Sequence, residues 1–141
     1  MAITTAKGTL VKLGDAASPE VFSTIGQVRS IDGPTTTAEI VDVTTHSTAG
    51  NWREKLAVLI DPGSVSFAIN FDSADATHAF TTGLWSLFEN LTQRNYQMIF
   101  PASAGQLDFA AYVASHAFSA PVDDVLTADI ELAINGAITA T

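Results

Sequence analysis

The segment "SVSFAINFD", residues 64–72, carries the clearest structural signal in the sequence. Its apolar residues alternate with small or polar ones: Val65, Phe67, Ile69 and Phe71. A period of two places these side chains on one face of an extended chain, which is typical of a half-buried β-strand. The segment "LTADIELAI", residues 126–134, has the same period, and Asp129 and Glu131 lie on its polar face.

Weaker alternation and β-branched or aromatic residues predict further strands on both sides of this segment. They are "KGTLVKL" (7–13), "VFSTIGQVRSI" (21–31), "TTTAEIVDVTT" (35–45), "NYQMIF" (95–100) and "LDFAAYVASHAF" (107–118). Gly26 is expected to form a bulge within the second of them, and Asn135-Gly136 is expected to form a turn. Both faces of 107–118 are partly apolar, which indicates burial on two sides.

One segment departs from the β pattern. Between residues 74 and 91 the apolar side chains recur at helical spacing, which predicts one amphipathic helix of about 74–91 with Ser73 as its N-cap. Trp85 lies at the edge of the apolar stripe, where a core or rim position is expected. The predicted fold is mainly β: a β-sandwich or barrel with one flanking α-helix.

The 141 residues show no break in composition, so we predict a single domain, 1–141, with a long loop protruding at about 44–62. The net charge of −9 argues against nucleic-acid binding through clustered cations and against an anionic membrane surface. Cysteine is absent, which excludes disulfides and thiol chemistry. No signal-peptide pattern or bilayer-length apolar run is present, so a cytoplasm-like compartment is expected.

Catalytic and metal-binding patterns are missing from the sequence. His46, His78 and His116 have no metal-ligand spacing, and Asp123-Asp124 is typical of turn chemistry. No nucleophile elbow or phosphate-binding loop occurs. We therefore expect no enzyme activity, no metal and no cofactor.

The predicted loop contains the unusual stretch "STAGNWREKL", residues 47–56. It carries a tryptophan and two of the six basic residues of the chain, which a simple connection between strands does not need. One interpretation is a surface hairpin tip with Trp52 folded onto its own core. The other is a loop that leaves the domain and contacts a partner.

In the order of these segments the chain resembles the major tail tube proteins of long, non-contractile (siphovirus-type) bacteriophage tails. The resemblance spans most of the chain and rests on a combination of segments, with no single diagnostic motif. They are "FSTIGQVRSIDGPTTTAEIVDVTTH", "STAGNWREKL", "IDPGSVSFAINFD", "NYQMIFP", "FAAYVASHAF" and "SAPVDDVLTADIELAINGAI".

The resemblance implies a structural virion protein that self-assembles into hexameric rings stacked into the tail tube. It implies that strands of neighbouring subunits join edge to edge around a lumen. A tape-measure protein would fill the lumen before double-stranded DNA passes through it, and tail-tip and terminator proteins would be further partners. Assembly would occur in the bacterial host cytoplasm, and the protein would reside in the virion. An acidic lumen would let DNA slide without specific binding.

Two sets of residues are candidates for these roles. The predicted inter-ring loop residues are His46, Asn51, Trp52, Arg53, Glu54 and Lys55. The candidate lumen acids are Glu39, Asp42, Asp129 and Glu131, for which an exterior position is the alternative. Two other functions stay open from the sequence: a non-catalytic binding module for a receptor or carbohydrate, as at a tail tip, and a subunit of a related secretion tube.

Overall fold

The computed structural model describes residues 3–141; Met1 and Ala2, included in the predicted domain, lie outside the described residues. Nine strands and one helix follow one another within residues 3–141. They are β1 (Leu10–Gly14), β2 (Phe22–Thr24), β3 (Val28–Asp32), β4 (Thr37–Asp42), β5 (Lys55–Asp61), β6 (Ser64–Asn70), α1 (Leu84–Glu89), β7 (Arg94–Phe100), β8 (Gly105–Ser119) and β9 (Thr127–Ala140).

Seven strands form one antiparallel sheet in the order β2-β1-β7-β8-β9-β6-β3, and β4 and β5 pair separately. Strands β2 and β3 lie at opposite edges of the sheet, yet only residues 25–27 connect them. Three residues are too short to cross a flat sheet of seven strands. The sheet therefore curls until the edge strands β2 and β3 approach each other. The prediction of a mainly β sandwich or barrel is confirmed.

The core fills the inside of the curled sheet. Along β6 and β9, alternate residues are fully buried, as the period of two predicts. In register across these strands, Phe67 faces Ile130, and Val65 faces Leu132. Tyr96 and Met98 of β7 and Phe109 of β8 close the core from the opposite side. The residues between them point outward, so the same alternation that builds the core also fixes the chemistry of the outer face.

The helix prediction is correct in kind but wrong in extent. α1 spans six residues and begins after Gly83, which makes no side-chain cap, so Ser73 is not the N-cap. Residues 72–82 form successive turns because their side-chain carboxylates accept hydrogen bonds from nearby residues of the same segment. Asp75 accepts hydrogen bonds from the backbone and hydroxyl of Thr77, and Asp72 accepts one from the N–H of Ala74. Trp85 is partly buried, in agreement with a rim position.

Two turn and bulge predictions are also wrong. Residues 21–31 do not form one bulged strand, because β2 ends at Thr24 and β3 begins at Val28. Ile25 still donates its N–H to the carbonyl of Val11 in β1 (2.9 Å), and the chain leaves the sheet after it. Asn135-Gly136 does not reverse the chain, because β9 continues to Ala140. Gly136 has a φ of +88°, and the pairing with β8 shifts register there, so the dipeptide forms a bulge.

His78 holds the turn region against the sheet. Its ring is buried; Nε2 lies 2.7 Å from the carbonyl oxygen of Gly26, and Nδ1 accepts the N–H of Asp72 (3.0 Å). Because Nδ1 accepts, the proton is on Nε2, and the neutral imidazole satisfies one backbone donor and one backbone acceptor. The segment that carries α1 is thereby tied to the connection between β2 and β3.

We expect His78→Ala to lower the free energy of unfolding by about 1–3 kcal/mol for each backbone group left without a partner. Urea denaturation of the monomer measures this change. His46→Ala is the matched control, because His46 is exposed in the hairpin between β4 and β5 and its loss should leave the midpoint unchanged. Equal midpoints for the two variants would show that His78 does not hold the turn region.

Candidate functional site

The hairpin formed by β4 and β5 stands apart from the seven-stranded sheet. All residues of both strands are exposed, although many are apolar: Ile40, Val41, Leu56, Val58, Leu59 and Ile60. A two-stranded hairpin is marginally stable alone, and a monomer rarely exposes so continuous an apolar surface. Residues 55–61, which the sequence assigns to a loop at 44–62, are the strand β5, in keeping with their apolar and β-branched composition.

The hairpin joins the sheet through two glycines with positive φ, Gly33 at +103° and Gly63 at +74°. A Cβ atom on Gly33 would lie 2.6 Å from the carbonyl oxygen of Ser64, and one on Gly63 would collide with the carbonyl of Thr35. Across the same joint, the N–H of Thr35 donates to the carbonyl of Ser64 (3.3 Å). The backbone conformation at this joint therefore fixes how the hairpin leaves the domain.

Polar contacts order the tip of the hairpin. The hydroxyl of Thr44 accepts the N–H of Glu54 (2.8 Å), and Nη1 of Arg53 lies 2.8 Å from Oδ2 of Asp42. Thr44, through its side chain and then its backbone, and next Arg53, lower the pKa of Asp42. Trp52 is 83% exposed and so does not fold onto the core of its own chain. Of the predicted loop residues, His46, Asn51 and Lys55 are exposed as well.

The four candidate lumen acids fall into two groups. Glu39 and Asp42 lie on the hairpin, where Asp42 is ion-paired with Arg53. Asp129 and Glu131 lie on the outer face of β9, and both are exposed. The structure therefore brings together only the second pair on the main sheet.

The outer face around Asp129 and Glu131 is made of small and acidic side chains. Register places Glu131 beside Ser66 of β6 and Ser115 of β8, and places Asp129 beside Ala68 and Ala117. Ser66 in turn faces Asp32 of β3, so Asp32 joins the same face. We name this surface the acidic face: Asp32, Asp129 and Glu131. In β3, β6, β9 and residues 112–119, the only Lys or Arg is Arg29.

Sequence reasoning missed Asp32. The alternation in "VRSID" is the available signal, but a register shift between Val28 and Ser30 disrupts it. Only the pairing of Ile31 with Phe67 in the core shows that Asp32 points outward.

The four strands that carry the acidic face end in two free edges. On one side β3 pairs only with β6. On the other side, the pairing of β8 with β7 ends at Ala111, so residues 112–119 pair only with β9. Among residues 3–141, no other strand covers either edge. Such edges present unpaired N–H and C=O groups to another chain.

A groove of about 610 Å³ runs along the free edge of β3. Its lining includes Val28, Arg29, Ser30 and Ile31 of β3 and residues 4–9. Met98, Phe100 and Pro101 contribute to its lining. The space beside the unpaired edge is thus open to a further segment of chain.

The described residues 3–141 contain no cluster of three or more His, Cys, Asp or Glu side chains arranged to hold a metal ion. Within the same residues, no helix has the length and apolar character needed to cross a bilayer. The surfaces described above are suited to contacts between protein chains.

Residues 5–141 match the family model described as lambda phage tail tube protein, TTP. The fold is similar to the tail of an empty gene transfer agent (GTA) particle with C6 symmetry, with 26% identity, a TM-score of 0.79 and 99% coverage of both chains. It is also similar to a chain of the native GTA virion, with 25% identity, a TM-score of 0.76 and 99% coverage of both.

The fold of the SPP1 tail tube is similar too, at 13% identity and a TM-score of 0.69, covering 94% of this chain and 76% of that one. Comparison with curated protein sequences gives no match.

Proposed function

The chain belongs to the lambda phage tail tube protein family and is a structural tail tube subunit, and we propose that six copies close into a ring. The observation that carries this proposal is that the section β3-β6-β9-β8 has a free edge on each of its two lateral sides. If the β3 edge of each copy pairs with residues 112–119 of the next, the contact is heterologous, and it closes a ring when the rotation between copies divides a full turn. The C6 symmetry of the similar GTA tail supports six copies.

Edge pairing of this kind joins the sheets into one continuous barrel. Four strands (β3, β6, β9 and β8) from each of six copies give twenty-four strands. Barrels of about 16 strands already enclose an aqueous channel, so a barrel of this size leaves a wide lumen. Closure also removes the free edges, which are an aggregation hazard in a monomer.

We propose that the acidic face lines this lumen. Its carboxylates would repel the phosphates of double-stranded DNA, and its small serine and alanine side chains offer few groups that retain the polymer. The protein would act as a non-catalytic conduit during DNA ejection. A tape-measure protein would occupy the lumen before DNA does, and tail-tip and terminator proteins would cap the two ends.

The hairpin is proposed to connect one ring to the next. It is paired separately from the main sheet, exposes apolar residues and carries the largely exposed Trp52 near its tip. Aromatic side chains of this kind anchor interfaces. Assembly would take place in the host cytoplasm, and the finished tube would be part of the virion.

We expect Trp52→Ala to leave the monomer folded, because the side chain is 83% exposed. Loss of an aromatic hot spot costs about 2 kcal/mol, which raises the critical concentration for polymerisation about 30-fold. Sedimentation and negative-stain microscopy measure the effect. Val21→Ala removes another exposed apolar side chain, near β2, and should polymerise normally. A Trp52 variant that unfolds, or that forms tubes at the normal concentration, would contradict the inter-ring role.

We expect the double variant Asp129→Lys with Glu131→Lys to assemble tubes of normal length that eject DNA slowly. The change adds cations facing the phosphates, whereas Asp129→Asn with Glu131→Gln only removes the repulsion and should give an intermediate rate. Ejection is measured as DNA released with time from purified particles. Unchanged ejection in the lysine variant would remove both residues from the lumen.

A further inference from the structure

The hairpin and a second apolar surface lie at opposite ends of strand β6, measured along the strand direction. The hairpin leaves where β3 ends at Asp32 and β6 begins at Ser64. At the other end of β6 lies Phe71, whose N–H donates to the carbonyl of Leu126 just before β9 (2.9 Å). The seven residues of β6 separate the two ends by about 20 Å.

Six aromatic rings cluster at this second end, and we name them the aromatic patch: Phe71, Phe80, Trp85, Phe88, His116 and Phe118. Phe118 is central, with ring centroids 4.7 Å from His116, 5.4 Å from Phe71 and 6.0 Å from Trp85. The turns of residues 72–82, α1 and the end of β8 each contribute rings. The patch is therefore assembled by the fold and is not visible as one sequence motif.

The patch is accessible from outside. Phe80 and Phe118 are exposed, and Val125 and Leu126 extend the apolar surface beside them. Burial lowers the pKa of His116, so its imidazole is neutral at neutral pH and adds to the apolar character. An exposed aromatic cluster rimmed by polar residues is typical of a protein–protein contact.

The two ends differ in their cationic residues. Residues 71–91 and 116–126, which build the patch and its surroundings, contain no Lys or Arg and five acids: Asp72, Asp75, Glu89, Asp123 and Asp124. The hairpin carries both signs: Arg53 and Lys55 lie near its tip, and its acids are Glu39, Asp42, Glu54 and Asp61. The ion pair of Arg53 with Asp42 is exposed, and such a pair is weak enough to be exchanged for another carboxylate.

The hairpin offers a matching apolar face. Val41 is in register with Leu56, and Val58 follows Leu56 on the same side of β5. A register shift between Ala38 and Ile40 places Ile60 on the opposite side. Val41, Leu56 and Val58 are between 40% and 54% exposed. Because this face and the patch are at opposite ends of the subunit, contact between two copies is heterologous and leaves both surfaces free at the ends of the stack. Such a contact adds subunits without limit along one axis.

We propose that the apolar face of the hairpin docks on the aromatic patch of a second copy in the adjacent ring, with Arg53 and Lys55 facing its acidic surroundings. This inference rests on the proposed stacking of rings and names the receiving surface. It gives the tube a direction, since every hairpin points toward the same end. Trp52, at the tip, would reach furthest into the adjacent ring.

Cysteine cross-linking tests the contact, because the natural chain has no cysteine. A Leu56→Cys variant is mixed with a Val125→Cys variant that carries a size tag, and the mixture is polymerised and oxidised. Both positions are exposed, so neither change removes core packing. Val21→Cys replaces Val125→Cys in the matched control, since Val21 is exposed to a similar degree away from the patch. A disulfide forms only where Cα atoms approach within about 7 Å.

The expected result is a tagged heterodimer on a non-reducing gel for Leu56 with Val125, and none for Leu56 with Val21. Two results would overturn the docking proposal: tubes that form without a cross-link between Leu56→Cys and Val125→Cys, or equal cross-linking of Leu56→Cys to Val21→Cys. Either result would leave the proposed function intact. If the unmodified chain forms no tubes at all, the proposed function fails, and the docking proposal fails with it.

Discussion

A strand at the edge of an open sheet leaves its outward N–H and C=O groups without partners, and this constraint governs the surfaces of the molecule. In the part of the chain that the structure describes, the sheet curls but does not close by hydrogen bonding: β3 has one unpaired edge, and β8 pairs on one side only after Ala111. Both edges belong to the same four strands. The proposed pairing between copies would satisfy the groups that folding of one copy leaves unpaired, so the ring would complete the hydrogen bonding of the fold.

The remaining surfaces are arranged around these four strands. Their inward side chains form the core, so their outward side chains, Asp32, Asp129 and Glu131 among them, share one face. The ribbon of β3 and β6 continues past Gly33 and Gly63 into the hairpin, and its other end meets the aromatic patch. One sheet section therefore carries lateral edges, an acidic face and two ends, to which the proposed assembly assigns ring closure, lumen and stacking.

The alternation of apolar and polar residues in the sequence predicts the strands whose two faces differ in burial. The alternation of residues 64–72 and 126–134 identified β6 and β9 and the outward position of Asp129 and Glu131. The predicted helix is longer than α1 because the helical spacing of apolar residues in 74–83 also fits a series of turns. Asp75 and His78 hold these turns, and the contact of His78 with Gly26 is a tertiary contact that the local sequence does not show. Asp32 and the aromatic patch were missed, because a bulge hides the first and three distant segments build the second. The resemblance to tail tube proteins supplied the assembly that no local pattern contains.

The most direct test is a cryo-EM reconstruction of the purified protein polymerised at high concentration. The account predicts stacked rings of six copies, with β3 of each copy hydrogen-bonded to residues 112–119 of its neighbour and the acidic face toward the lumen. A reconstruction in which these two edges remain unpaired between neighbouring copies, or a protein that stays monomeric at every concentration, would contradict it.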